Sequence, residues 1–129
     1  MKHLSKSELN ELSFPDTEVS DFQLDASERI CKISCIDGLL GKSPKGIILN
    51  NIAIEIKDYH SLIISEFIEN HTLVNDFSQE FSLKDICEFN LKESSVTLKG
   101  FSKIRGFWTE YVFTGGSLDV AYENAEKCI

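Results

Sequence analysis

A chain of 129 residues that is 42% hydrophobic, with only 2 Pro and 7 Gly, is long enough to bury one core without a metal or disulfide staple and too apolar to stay disordered. Its 21 acidic against 13 basic side chains give a formal net charge of -8, a field that attracts basic partners and argues against direct nucleic-acid binding. The positively charged start has no apolar run behind it, and the most apolar stretch, Gly46 to Ile56, is broken by Asn50, Asn51 and Glu55. Neither a secretory leader nor a membrane span is therefore predicted, and the expected location is the cytoplasm.

Ser5 followed by Glu8 has the spacing of a capping box, and with Leu9 and Leu12 as apolar contacts it predicts a short N-terminal helix ended by Pro15. Beyond Asp16 the period changes. Val19, Phe22 and Leu24 sit among polar residues, and Cys31, Ile33 and Cys35 then alternate with Lys32 and Ser34, which predicts two strands joined by a short acidic turn. Asp37-Gly38 is predicted to open a long loop that continues from Gly41 to Gly46. Ile52, Ile54 and Ile56 alternate with Ala53, Glu55 and Lys57, the pattern of a half-buried strand with isoleucine facing the core.

Ser61 to Ile68 fits either a helix face or a strand, and its β-branched and aromatic content favours the strand. Asn70 to Ser82 reads as an irregular strand or a loop, and Leu83 to Phe89 as a short helix or strand. Two clearer strands follow, Val96 to Phe101 and Phe107 to Phe113. In the second, Trp108, Glu110 and Val112 face away from Phe107, Thr109, Tyr111 and Phe113. Gly115-Gly116 reads as a hairpin turn into Leu118 to Tyr122. The sum is a mainly β, single-domain chain over residues 1–129, an antiparallel meander built as a sandwich or a curved half-barrel with a short N-terminal helix.

No motif for catalysis or metal binding stands out. Gly41-Lys42-Ser43 ends like a phosphate-binding loop, but Ile36 occupies the position of the required first glycine and Pro44 stands where the helix would begin. His3, His60 and His71 lack metal-ligand spacing, so neither a metal nor a cofactor is expected. Cys31 and Cys35 share one strand at about 13 Å, too far for a disulfide, and with Cys87 and Cys128 they read as reduced cysteines of a cytosolic protein. A Cys87 nucleophile with His60 or His71 is the one enzymatic arrangement left open, and the expectation is a protein that is not an enzyme.

Charge placement is more informative. Ser7 to Glu28 holds seven acids and no cation, and Glu66 to Glu88 holds six acids against Lys84. Lys99, Lys103 and Arg105 precede the aromatic strand, which predicts a polarised surface with two acidic segments apart from one basic turn. Trp108, Tyr111, Phe107 and Tyr59 are residue types that anchor interfaces.

Two segments, Phe14-Pro15-Asp16-Thr17-Glu18-Val19-Ser20-Asp21-Phe22 and Gly100-Phe101-Ser102-Lys103-Ile104-Arg105-Gly106-Phe107-Trp108-Thr109-Glu110-Tyr111, carry a resemblance. In their order along the chain they resemble the small immunity proteins of bacterial contact-dependent growth inhibition and polymorphic-toxin systems. The resemblance implies a cytoplasmic, non-enzymatic protein that binds and neutralises a cognate basic toxin domain, often a nuclease. Acidic side chains would then occupy the field that attracts nucleic-acid phosphates. The expected toxin-binding residues are Glu66, Glu69, Asp76, Glu80, Asp85 and Glu88, with Phe77 as an apolar anchor. A small-ligand-binding β-barrel, its cavity lined by the nine Phe and the alternating isoleucines, and an accessory binding subunit are the alternatives.

Overall fold

The computed structural model describes residues 1–41 and 46–127, so most of the Gly41 to Gly46 segment, including Lys42 and Ser43 of Gly-Lys-Ser, and Cys128 lie outside the described residues. After β1 (Lys2–His3), Ser5 caps the single turn α1 (Lys6–Leu9). The capping box forms as its spacing predicts: the Glu8 amide donates to Ser5 Oγ and the Ser5 amide donates to Glu8 Oε1. Leu12 does not extend this helix; with Ser13 it forms β2 (Leu12–Ser13) and pairs with a later strand.

All remaining regular elements but one 3-10 turn, Gln79–Phe81, are strands. β3 (Thr17–Asp25), β4 (Ile30–Leu40), β5 (Ile47–Lys57), β8 (Asp85–Ile86) and β12 (Ser117–Lys127) join β1 and β2 in one antiparallel sheet, ordered β1-β12-β5-β4-β3-β8 with β2 also paired to β4. The second sheet holds β6 (Ser61–Phe67), β7 (His71–Val74), β9 (Glu88–Lys92), β10 (Ser95–Phe101) and β11 (Trp108–Thr114) in the order β7-β6-β11-β10-β9. The ambiguous segment 61–68 is thus a strand through Phe67, while 83–89 divides into β8 and the start of β9, which belong to different sheets. Among the described residues no helix is long and apolar enough to cross a membrane.

The core lies between the sheets. Cys31 and Ile33 of β4, Ile52, Ile54 and Ile56 of β5 and Val120 of β12 face Ile64, Leu98, Tyr111 and Phe113 of the second sheet, all of them buried. At one end Phe22 packs 5.1 Å from Tyr111 between ring centroids, and the Tyr111 hydroxyl donates to the Phe81 carbonyl at 2.6 Å. That bond satisfies the one polar group this large side chain carries inward. The arrangement is not a closed barrel, so the phenylalanines do not line a lumen: Phe14, Phe22 and Phe113 fill the core, whereas Phe67, Phe101 and Phe107 are exposed.

Three expectations are corrected. Asp37-Gly38 does not open a loop, because β4 continues through it to Leu40. The alternation slips there instead: Cys35 and Gly38 are both buried, as are Leu49 and Ile52 on the neighbouring strand. The slip runs across paired residues, since Asp37 lies opposite Asn50, and Asn51 beside it takes φ 56°, a left-handed conformation that asparagine tolerates. A side chain at position 38 would collide with the Ile52 methyl and crowd the Phe14 ring, so glycine here leaves room for both.

The chain is also no simple meander. β11 and β12 belong to different sheets, which makes Gly115-Gly116 a corner between sheets and not a hairpin turn. It runs beside a second corner, Asp58 to His60, by which β5 leads into β6, and the His60 amide donates to the Thr114 carbonyl at 2.7 Å. Gly116 has φ 80°, and a Cβ there would collide with the Lys57 carbonyl oxygen. Both the backbone conformation and the space demand glycine.

The third correction concerns charge. Arg105 folds onto Glu66, and Lys99 lies 3.4 Å from Glu110, so the basic turn does not stand apart from the second acidic segment. The sheets are further tied by the segment around β8. The Lys84 carbonyl accepts from the Val19 amide of β3, while the Lys84 and Cys87 amides donate to the Phe101 and Lys99 carbonyls of β10, at 2.8, 2.9 and 2.8 Å.

Replacing Gly116 with Ala combines a left-handed backbone with a steric clash. It is expected to destabilise the fold by roughly 2–3 kcal/mol. Urea unfolding should show a lower midpoint with an unchanged slope, and Gly106→Ala, where nothing crowds the added methyl, should cost less.

Candidate protein-docking face

Successive residues of a strand alternate between faces, so the partners of the core positions on β6, β11 and β10 must point outward. In the second sheet one row of those outward residues is aromatic. Phe67 of β6 lies opposite Trp108 of β11, which lies opposite Phe101 of β10, and on the far side Phe67 pairs with His71 of β7. The result is one aromatic row across four strands. Phe101 meets Trp108 edge to face at 5.2 Å, and Phe67 stacks on His71 at 5.2 Å. Lys84 extends the row, its ammonium 5.7 Å from the Phe101 ring.

The next outward row runs from Leu73 through the buried Ser65 to the ion pair of Glu110 and Lys99, and the row beyond it holds Ile63 opposite Val112. Ile63 is 50% exposed and Leu73 60%. Ile68 in the turn after β6, with Ile104 and Phe107 in the loop before β11, continues the apolar surface at one end of the sheet. Among the described residues nine large hydrophobic side chains are exposed, and seven of them belong to this face and its adjoining loops, Met1 and Ile36 being the other two. Isolated apolar residues are ordinary on a protein surface, whereas a connected set of this kind is the mark of an interaction site.

The loop beside the row is held by an ion pair between a buried carboxylate and a solvent-facing guanidinium. Glu66 faces the core, 3% exposed, and the Arg105 guanidinium grips it in two-pronged fashion, Nη2 donating to Oε1 at 2.9 Å and Nε donating to Oε2. Arg105 also lies over the rings of Phe81 and Phe107, 5.2 and 5.9 Å from their centroids. A guanidinium suits this position, since its flat fork matches a carboxylate while its faces stack on aromatics. Ser102 accepts from the Phe107 amide and Thr109 Oγ1 donates to the Phe107 carbonyl, which complete the closure of the loop.

The acids expected at the site fall into two groups. Glu66 is engaged with Arg105, and Asp85 Oδ1 accepts from the Phe101 amide at 2.8 Å, so both serve the framework. Phe77 is half-buried against Phe22 and Tyr111, with centroids 5.9 and 6.4 Å apart, and closes the end of the core. Glu69, Asp76 and Glu88 are exposed. Glu80 is half-buried and reached by Arg105 at 3.5 Å. Glu88 lies across from Lys99 on the outer face itself, while Glu69 and Asp76 flank the β6–β7 hairpin.

Of the aromatics singled out as anchors, Tyr111 and Tyr59 are core residues, while Trp108 and Phe107 belong to the outer surface. Phe67, Phe101, Leu73 and Ile63 went unrecognised. Their signal was present in β6 and β11, which carry apolar residues on both faces although only one face can meet the core.

Cys87 places its thiol by Asp16 and Asp85, and burial with those hydrogen bonds pushes it up to about 12. Burial also pushes the Cys31 and Cys35 thiols up to about 12. His71 Nε2 lies 2.6 Å from Ser65 Oγ, and His60 packs beside Gly115. Among the described residues no group of three or more His, Cys, Asp or Glu is placed to hold a metal ion. Comparison with family models, curated proteins and solved structures finds no match to this chain.

Arg105→Ala would leave the Glu66 carboxylate buried without a partner, a loss that commonly exceeds what the intact pair contributes. Its thermal midpoint should fall well below that of Lys103→Ala, and adding Glu66→Gln should recover part of the difference. For Cys87, a thiol at about 12 is ionised to about one part in 10,000 at pH 8. Iodoacetamide followed by peptide mapping should leave Cys87 unmodified in the folded protein and alkylate it in urea; rapid native alkylation of Cys87 would contradict this environment.

Proposed function

We propose that this chain is a binding protein of the immunity type, which docks the outer face of its second sheet onto a basic toxin domain in the cytoplasm and so neutralises it. The observation that carries the reading is the uncovered row Phe67, Trp108 and Phe101, flanked by Leu73 and Ile63. Aromatic side chains on a rigid sheet supply large contact area with few rotors to immobilise, the usual source of interface hot spots.

Charge supports a basic partner. The chain carries -8 overall, and Glu69, Asp76 and Glu88 remain exposed around the sheet, with Glu80 half-buried. Lys84 and Lys103 are also exposed at the Phe101 end, so the partner surface there is expected to be acidic. Affinity would come from the aromatic row and speed of association from the acids, because exposed charges act mainly on the encounter rate. A nuclease is a fitting target: its phosphate-binding field is the positive surface an acidic inhibitor would cover.

The test is co-expression with the toxic C-terminal domain of an effector encoded beside this gene. Growth should be restored, and the single Trp should report docking directly, since Trp108 lies in the row and its emission should shift to the blue on burial. Phe67→Ala and Phe101→Ala should each weaken binding by about 30-fold with the fold intact. Glu69→Lys/Asp76→Lys/Glu88→Lys should slow association at low salt and leave dissociation nearly unchanged. Absence of protection, or protection that both sets of variants leave untouched, would overturn the proposal.

A further inference from the structure

A cleft opens beside the Gly115-Gly116 corner, under the N-terminal segment. There the inward residues Ile56 and Leu118, partners across β5 and β12, face Leu91 and Val96, partners across β9 and β10, over a cleft of about 830 Å³. Leu4 and Leu9 line it from the N-terminal segment. Leu9, Leu91, Val96 and Leu118 are left half-buried, although each points toward the side of its element that packs on the core. Apolar walls held apart on a rigid frame, with room for a small molecule, have the form of a ligand site.

The mouth differs chemically from the walls. Lys6 and Lys92 stand on it, and neither makes an ion pair among the described residues. Glu93 shares the rim, so cations outnumber anions there on a chain that carries -8 overall. Asn10 adds a side-chain amide able to donate or accept.

We propose that this cleft binds a linear amphiphile, a medium-length acyl chain ending in a carboxylate. The hydrocarbon lies between Ile56 and Leu118 on one wall and Leu91 and Val96 on the other. The carboxylate sits at the mouth between Lys6 and Lys92. None of these residues belongs to the aromatic row of the proposed docking face; Lys92 alternates outward from Leu91 at the opposite end of that sheet, three rows from Phe101, so the two readings stand or fall separately.

Isothermal titration of the full chain with hexanoate, octanoate and decanoate, each below its micelle concentration, provides the test, with decanol and decyltrimethylammonium as head-group controls. Affinity should rise by about fourfold per added methylene and decanoate should bind more tightly than either control. Lys6→Glu/Lys92→Glu should weaken decanoate by roughly tenfold and leave decanol unchanged. Val96→Trp should occlude the cleft and abolish binding of every chain, with circular dichroism verifying the fold; Leu118→Trp does the same from the opposite wall should the first variant not fold. Absence of binding at millimolar decanoate, equal binding of the controls, or decanoate affinity untouched by the lysine reversals would overturn the proposal.

Discussion

The segment Leu83 to Cys87 answers to two sheets at once, and the shape of the molecule depends on it. Its backbone accepts from β3 and donates to β10, while the Asp85 side chain accepts from the Phe101 amide. A strand can satisfy neighbours on both sides only if both come within hydrogen-bonding distance, about 5 Å between backbones. Gly100 makes that approach possible, because any side chain there would collide with the Asp85 carbonyl oxygen. The sheets are therefore joined along this edge by hydrogen bonds, in addition to the two chain corners at residues 58–60 and 115–116.

What local pattern can carry, this sequence carried well. Isoleucine at 52, 54 and 56 shows β5 because period-2 burial needs only nearest neighbours, and Ser5 with Glu8 shows the cap because its partners lie within one turn. Sheet membership is another matter. Gly115-Gly116 suits a hairpin turn and a corner equally, since both require positive φ; the choice is made by Lys57 to His60, remote in sequence. Asp37-Gly38 likewise has turn composition, yet its glycine serves packing under Phe14. The slip of alternation at Asn51 cannot be read from β5 alone, because it is shared with the strand beside it.

The candidate face was partly legible for a related reason. Trp108 and Val112 stand opposite Tyr111 and Phe113 on one strand, and a strand apolar on both faces must leave one uncovered unless another layer packs on it. Charge was less readable than it looked. Acids and bases grouped in separate stretches of sequence need not be separate in space: pairing of β6 with β11 brings Glu66 beside the loop of Arg105, and pairing of β10 with β11 brings Lys99 to Glu110. Block charges along a chain describe a surface only after the strands have been paired.

The same long-range pairing has a consequence during synthesis. β5 is flanked by β4, which precedes it closely, and by β12, made far later. While the ribosome is still translating the intervening strands, one side of β5 presents unpaired amides and carbonyls along the isoleucine-rich stretch that forms the centre of the finished sheet. A nascent chain in that condition is a template for self-association, and fast expression would favour aggregates over folded protein. Slower translation or a chaperone that shields β5 would raise the soluble yield without changing the stability of the native state.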